Sequence, residues 1–181
     1  MSPELAAGIR RVKGVKQLGC GLRRAELSAL SRKDIRIRQG HWAIVDLVGK
    51  GNHVRTVPMP MWVKEAVDRW LSAASVAPGS VFRAVSRHGT AWGNGISENV
   101  VWYVVPSCAL RLEFDHLAPH DLRRTCAKLC HVNGGELEQI QFLLGHATVL
   151  TTERYLGCKQ NLKEPINDGF GSLFLGGVDS P

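Results

Sequence analysis

No apolar run in this sequence approaches the length needed to span a bilayer, and its first residues contain no signal-peptide core. No segment repeats another. Cysteine is sparse and odd in number, five in all, at the irregular positions 20, 108, 126, 130 and 158. That argues against a disulfide framework and for a reducing cytoplasm. Cys126, Cys130 and His131 are close in sequence, yet no second ligand pair at zinc spacing follows, so no metal site is expected. Nor is there a tight Asp/Glu cluster of the kind a two-metal nuclease uses. Tyrosine is scarcest among the chemically useful residues, with Tyr103 and Tyr155 alone.

What remains is an ordinary globular composition with a charge surplus. The 181 residues suit one domain with a true core, and 44% are apolar. Lys and Arg number 23 against 16 Asp and Glu, a formal charge of +7 and a pI near 9.5. The surplus favours an anionic partner, nucleic acid first, although composition alone also fits a basic protein without one.

Periodicity gives a mainly α chain with a small three-stranded antiparallel β-sheet near the N-terminus, an α+β class. Apolar residues fit a helix face over 22–30. Ile35 and Ile37 alternate with arginines, Trp42 to Val48 form a second β-rich run, and Val54, Thr56 and Pro58 a third beyond the turn Gly49-Lys50-Gly51-Asn52. A helix is expected over 60–74, with Trp62 and Trp70 read as core. A short extended piece at 81–83 and a Gly-rich loop at 86–95 follow. The next helix, near 97–108, is expected to bend or end at Pro106 and to bury Tyr103. Helices then run from His120 to Asn133-Gly134-Gly135, over 136–144 to Gly145, and over 148–156.

The chemistry gathers in the last third, in His120-Asp121-Leu122-Arg123-Arg124-Thr125, Leu144-Gly145-His146 and Thr151-Thr152-Glu153-Arg154-Tyr155. Arginine grips non-bridging phosphate oxygens with a planar fork, histidine donates to them or moves a proton near neutral pH, and a tyrosine oxygen can attack phosphorus. Arg23 opens a helix, a place that already favours an anion, and Lys50 tips a hairpin from which it could protonate a leaving oxygen. Alone, each reads more readily as a solvated surface or turn cation. Glu26 and Asp121 read as structural, capping helix starts or orienting neighbouring side chains. Arg24, Arg55, Arg83, Arg87, Arg124 and Arg154 are candidate DNA-backbone contacts on charge and position alone.

The order Gly-Leu-Arg23-Arg-Ala-Glu-Leu, Gly-Lys50-Gly, His120-Asp-Leu-Arg123-Arg-Thr, Leu-Leu-Gly-His146 and Thr-Thr-Glu-Arg-Tyr155 resembles the catalytic domain of the tyrosine recombinase, or phage integrase, family. That resemblance implies a DNA breaking-rejoining fold and a site made of Arg23, Lys50, His120, Arg123, His146 and Tyr155. It implies that Tyr155 forms a 3′-phosphotyrosine link to double-stranded DNA and frees a 5′-hydroxyl, with no cofactor, metal or ATP. It also implies a tetramer on two duplexes, a lone domain being monomeric until DNA gathers it. The expected organisation is an N-terminal remnant or linker at 1–20, the catalytic domain at 21–160 and a tail at 161–181 that packs in cis or on a neighbour, without the family's N-terminal core-binding domain. Two alternatives stay open: a truncated relative that binds DNA without recombining it, and a type IB topoisomerase-like enzyme.

Overall fold

The computed structural model describes residues 19–158 except 77, 87, 111, 112, 114 and 115. Arg87, the tail at 161–181 and nearly all of 1–20 lie outside the described residues. Helix α1 (Arg24–Ala29) leads through a turn into strands β1 (Ile35–Arg38), β2 (His41–Val48) and β3 (Val54–Pro58), followed by α2 (Met61–Ala73). A two-residue hairpin, β4 (Ala84–Val85) and β5 (Ala91–Trp92), precedes α3 (Glu98–Leu110), α4 (Pro119–Val132), α5 (Leu137–Leu144) and α6 (Val149–Leu156). The α+β class stands.

The first sheet is antiparallel in the order β1-β2-β3. Ile44 faces Val57, but Leu47 faces Arg55, so β2 holds one residue more than β3 between those pairs. Asp46 takes the left-handed conformation at φ 53 within this bulge. A bulge bends and twists its strand. Beyond it the chain turns over at Lys50–Asn52, where Gly51 has φ 75, a region glycine enters without Cβ strain.

The main core joins Leu22, Leu27 and Leu30 around α1 to Ile44 and Val57 of the sheet, Val63, Val67 and Trp70 of α2, Phe82, and Val101 of α3. The Trp70 indole N–H donates to the Val81 carbonyl at 2.9 Å, which satisfies its polar edge in the interior. A second, smaller core of Ala127, Ile140 and Leu144 binds α4 to α5, and Tyr155 of α6 packs against it. Thus the nucleophile candidate is anchored by its ring.

Four local expectations are corrected. Trp62 is 48% exposed, because α2 buries the stripe Val63, Ala66, Val67 and Trp70 and Trp62 falls outside it. Tyr103 is 72% exposed: α3 buries Val101, Val105 and Ala109, one full turn apart, which turns residue 103 to the opposite side. The same helix continues through Pro106 to Leu110. Two residues of the loop expected over 86–95, Ala91 and Trp92, pair as β5 with Ala84–Val85.

Candidate active site

The site lies where the start of α1, the β2–β3 hairpin, α4 and the α5–α6 corner meet. Arg23 is the residue before the first turn of α1. Glu26, one turn on, accepts from the Arg23 amide at 2.8 Å through Oε2 and from its Nη1 at 2.9 Å through Oε1. Asp121 does the same at the start of α4, accepting from the Ala118 amide at 2.8 Å. Both acids thus have the structural role expected of them, and both stabilise the positive end of a helix. The second terminal nitrogen of Arg23 donates to the Gly145 carbonyl at 3.0 Å, which fixes the fork over the α5–α6 corner.

Arg123 is 2% exposed. Its terminal nitrogens donate to the carbonyls of Gly21 and Leu144. A guanidinium has five donors, so this cradle orients the group without exhausting it. Burial and then the nearby Arg23 charge pull its pKa down to about 10, and it stays charged at neutral pH.

Tyr155 sits between two imidazoles. Its ring meets His120 edge-on at 5.2 Å and His146 at 5.1 Å. Its hydroxyl donates to the His120 carbonyl at a long 3.4 Å. Burial raises the phenol pKa, against the opposing charge and hydrogen bond of Arg123, so the resting phenol keeps its proton. Arg124 donates from Nε to the Tyr155 carbonyl at 3.1 Å, with its guanidinium 5.7 Å from the ring centre. His146 is held by Thr152, whose hydroxyl lies 3.0 Å from Nδ1. Thr152 is fully buried at 0% exposure. Lys50 lines a cleft of about 450 Å³ together with Arg23, Arg55, Gly145 and His146. All six expected residues therefore border one region, with Lys50 on the hairpin arm and Arg23, His120, Arg123 and His146 around Tyr155.

The electrostatics are one-sided. Arg23, Arg55, Arg123 and Arg124 converge, and among the described residues Glu26 is the only buried carboxylate. Burial pushes Glu26 up, but hydrogen bonds and charge from Arg55 and Arg23 outweigh it and hold the carboxyl below its usual range. Burial, followed by the arginine charges, holds His146 down at about 4. His120 is lowered for the same reasons, burial first and Arg123 second. Both imidazoles are neutral at pH 7. An unbalanced cationic cleft of this kind favours an anion.

The low His146 value has a consequence for stability. The ordinary histidine value is 6.5. Between that and about 4, the unfolded chain binds a proton that the native chain resists, so stability is lost as pH falls through this window. The thermal midpoint of the wild type is expected to drop more steeply from pH 6.5 to 4 than that of His146→Gln, which has no group to titrate. Parallel pH profiles for the two proteins would disprove the shift.

The peripheral arginines divide. Arg24 stacks over Trp102 at 5.2 Å and lines a groove with Arg23, His120 and Arg123. Arg154 is exposed. Arg55 and Arg83 have partners within the protein. Arg83 donates to the Gly93 carbonyl and to Asn94 Oδ1, tying the residue before β4 to the segment just after β5. Arg55 turns inward onto Glu26 and the Leu143 carbonyl. The role of Thr152 in holding His146 was not read from the sequence; its position in the Thr-Thr-Glu-Arg-Tyr run was the available signal.

Residues 16–161 match the phage integrase family, and the chain belongs to that family. It is 34% identical over 141 residues to the tyrosine recombinase XerC of Vibrio atlanticus, covering 76% of this chain and 43% of that protein. XerC of Corynebacterium glutamicum is 33% identical over 138 residues, covering 75% and 42%. This chain therefore spans less than half the length of those relatives. Among solved structures, XerH site-specific recombinase bound to difH substrate in a pre-cleavage complex superposes with a TM-score of 0.72 at 20% identity, over 96% of this chain and 48% of that one. XerA recombinase gives 0.64 at 20% identity, over 100% and 65%. These structural likenesses show a shared fold. Among the described residues no helix is long and apolar enough to cross a membrane.

Proposed function

We propose that this domain cleaves and rejoins double-stranded DNA as the catalytic part of a site-specific recombinase, with residues 21–160 as the working unit. The observation that carries this reading is the seat of Tyr155, between His120 and His146 and beside the buried Arg123. The Tyr155 oxygen attacks the scissile phosphorus, and the bond from phosphorus to the 5′-oxygen breaks. The tyrosine proton passes to neutral His120, and Lys50 protonates the leaving 5′-oxygen. Arg23 and Arg123 hold the non-bridging oxygens as charge builds on them, and both are fixed beforehand by the carbonyls of Gly145, Gly21 and Leu144. With Nδ1 of His146 engaged by Thr152, Nε2 is the nitrogen that donates to phosphate. Rejoining reverses these steps. The phosphotyrosine link keeps the energy of the phosphodiester, so no nucleotide triphosphate is called on.

XerH site-specific recombinase has been solved on its difH substrate in pre-cleavage and post-cleavage complexes, and the Tn1549 transposon integrase in complex with a circular intermediate DNA, which supports a DNA duplex as the partner here. Assembly follows the same logic: a monomer alone, and a tetramer once two duplexes are brought together. A second reading, binding without cutting, is supported by the resting state of Tyr155, whose hydroxyl donates to the His120 carbonyl and whose pKa burial raises.

A nicked suicide duplex pool separates the two readings, because the short fragment beside the nick diffuses away and rejoining fails. An adduct on a denaturing gel, mapped to Tyr155, is expected. Binding that weakens linearly in log–log with salt but yields no adduct would favour the second reading.

A further inference from the structure

Arg55 lies beyond the turn that carries Lys50, and its side chain is 11% exposed. All three guanidinium nitrogens donate within the protein. Nη1 reaches Glu26 Oε1 at 2.8 Å, Nη2 reaches Glu26 Oε2 at 2.9 Å, and Nε reaches the Leu143 carbonyl at 3.2 Å. The first two form a fork-to-fork pair of the strong, directional kind. Glu26 is itself the residue that fixes Arg23. Leu143 belongs to the helix end that presents Gly145 and His146. One side chain thus ties together three segments that are far apart in sequence: the hairpin, the start of α1 and the α5–α6 corner.

The two glycines beside it show how closely these parts are fitted. A Cβ at Gly49, the residue before Lys50, would stand 3.0 Å from Arg55 Nη1 and 3.3 Å from Glu26 Oε1. A Cβ at Gly145, the residue before His146, would stand 3.0 to 3.1 Å from Arg55 Cδ, Nε and Nη1. Gly145 is also left-handed at φ 61, so a substitution there would be strained for two reasons. The backbone beside Lys50 and the backbone beside His146 therefore both rest against the same guanidinium. The Gly49 amide closes the hairpin neck by donating to the His53 carbonyl at 2.8 Å.

We propose that Arg55 is a positioning residue for the leaving-group step: it docks the hairpin against Glu26 and Leu143 so that Lys50 enters the cleft beside Arg23 and His146. This rests on the strand-cleavage reading above. It assigns Arg55 no contact with DNA. A lysine cannot replace it, because one ammonium cannot span both Glu26 oxygens and the Leu143 carbonyl.

Two measurements test it. The first is single-turnover cleavage at saturating DNA, on an ordinary suicide duplex and on one whose scissile 5′-bridging oxygen is replaced by sulfur. With sulfur, tyrosine attack breaks a P–S bond and a thiolate leaves without needing a proton. Arg55→Lys and Arg55→Gln are expected to cleave the oxygen substrate about 100-fold slower than wild type, within the range for a mispositioned general acid. On the sulfur substrate both should return to within about tenfold, the pattern also expected of Lys50→Ala. If Lys50→Ala is rescued and the Arg55 variants are not, the proposal is overturned while the cleavage mechanism survives. A loss of DNA affinity with an unchanged saturated rate would make Arg55 a DNA contact and also overturn it.

The second measurement needs no activity. Amide hydrogen exchange at residues 49–53 should accelerate at least tenfold in Arg55→Gln, while the sheet amides around Ile44 and Val57 stay protected. Unchanged hairpin exchange would overturn the proposal even if wild type forms no adduct, which would by itself count only against the cleavage reading.

Discussion

Tyr155→Phe is expected to abolish the covalent DNA adduct and leave the fold and non-covalent binding close to wild type. The deleted oxygen donates over a long 3.4 Å to the His120 carbonyl and accepts from Arg123. Loss of these contacts at a half-buried site costs on the order of 1–2 kcal/mol. The ring stays, and with it the packing on Ala127, Ile140 and Leu144 and the edge contacts to both imidazoles. DNA affinity depends on the cationic cleft, which the substitution does not touch. Chemistry, by contrast, loses its nucleophile outright. The other phenol in the chain, Tyr103, stands exposed on the outer side of α3. Denaturing gels and peptide mapping on the nicked duplex check the expectation. Equal adduct yield from the phenylalanine variant, or a peptide carrying DNA at Tyr103, would move the nucleophile elsewhere.

What the sequence disclosed was what is local. Alternating Ile35 and Ile37, the Gly-Lys-Gly-Asn turn and the glycines at 134 and 145 mark elements through spacing and backbone freedom, and those elements stand. The six proposed site residues were picked out because their order carries a family pattern, and the fold brings them to one region. What failed depends on which side of an element faces inward. Tyr103 and Trp62 are apolar enough to be core, but a helix buries one stripe, and the neighbours that select it are distant in sequence. The β4–β5 hairpin has two residues per strand, too few for alternation to register. Arg55 shows the deeper limit. In the sequence it is a cation near a hairpin tip, the natural place for a phosphate contact. In the fold, the buried Glu26 from a separate segment claims both its terminal nitrogens. A buried carboxylate that must be paired is a tertiary fact, and it redirects the arginine that pairs it.

Arg123→Ala is expected to slow cleavage by about 100-fold or more, roughly 3 kcal/mol of transition-state stabilisation, the order found when a preorganised charge stabiliser is removed. The position of the guanidinium explains why its loss should exceed that of a surface arginine. At 2% exposure it acts where water screens little, and the carbonyls of Gly21 and Leu144 hold it in place before DNA arrives. The same cradle predicts a second effect. Alanine leaves those two carbonyls without their donor, each orphan costing about 1–3 kcal/mol, so the thermal midpoint falls as well. Rate and stability must therefore be separated. Cleavage is measured in single turnover at a temperature where circular dichroism shows the variant folded, beside Arg123→Lys. Lysine keeps a positive charge but reaches the two carbonyls and a phosphate oxygen only one geometry at a time. It should recover part of the stability and little of the rate. A folded alanine variant that cleaves within tenfold of wild type would remove Arg123 from the transition state and leave it as a strut joining α4 to the Gly21 and Leu144 segments.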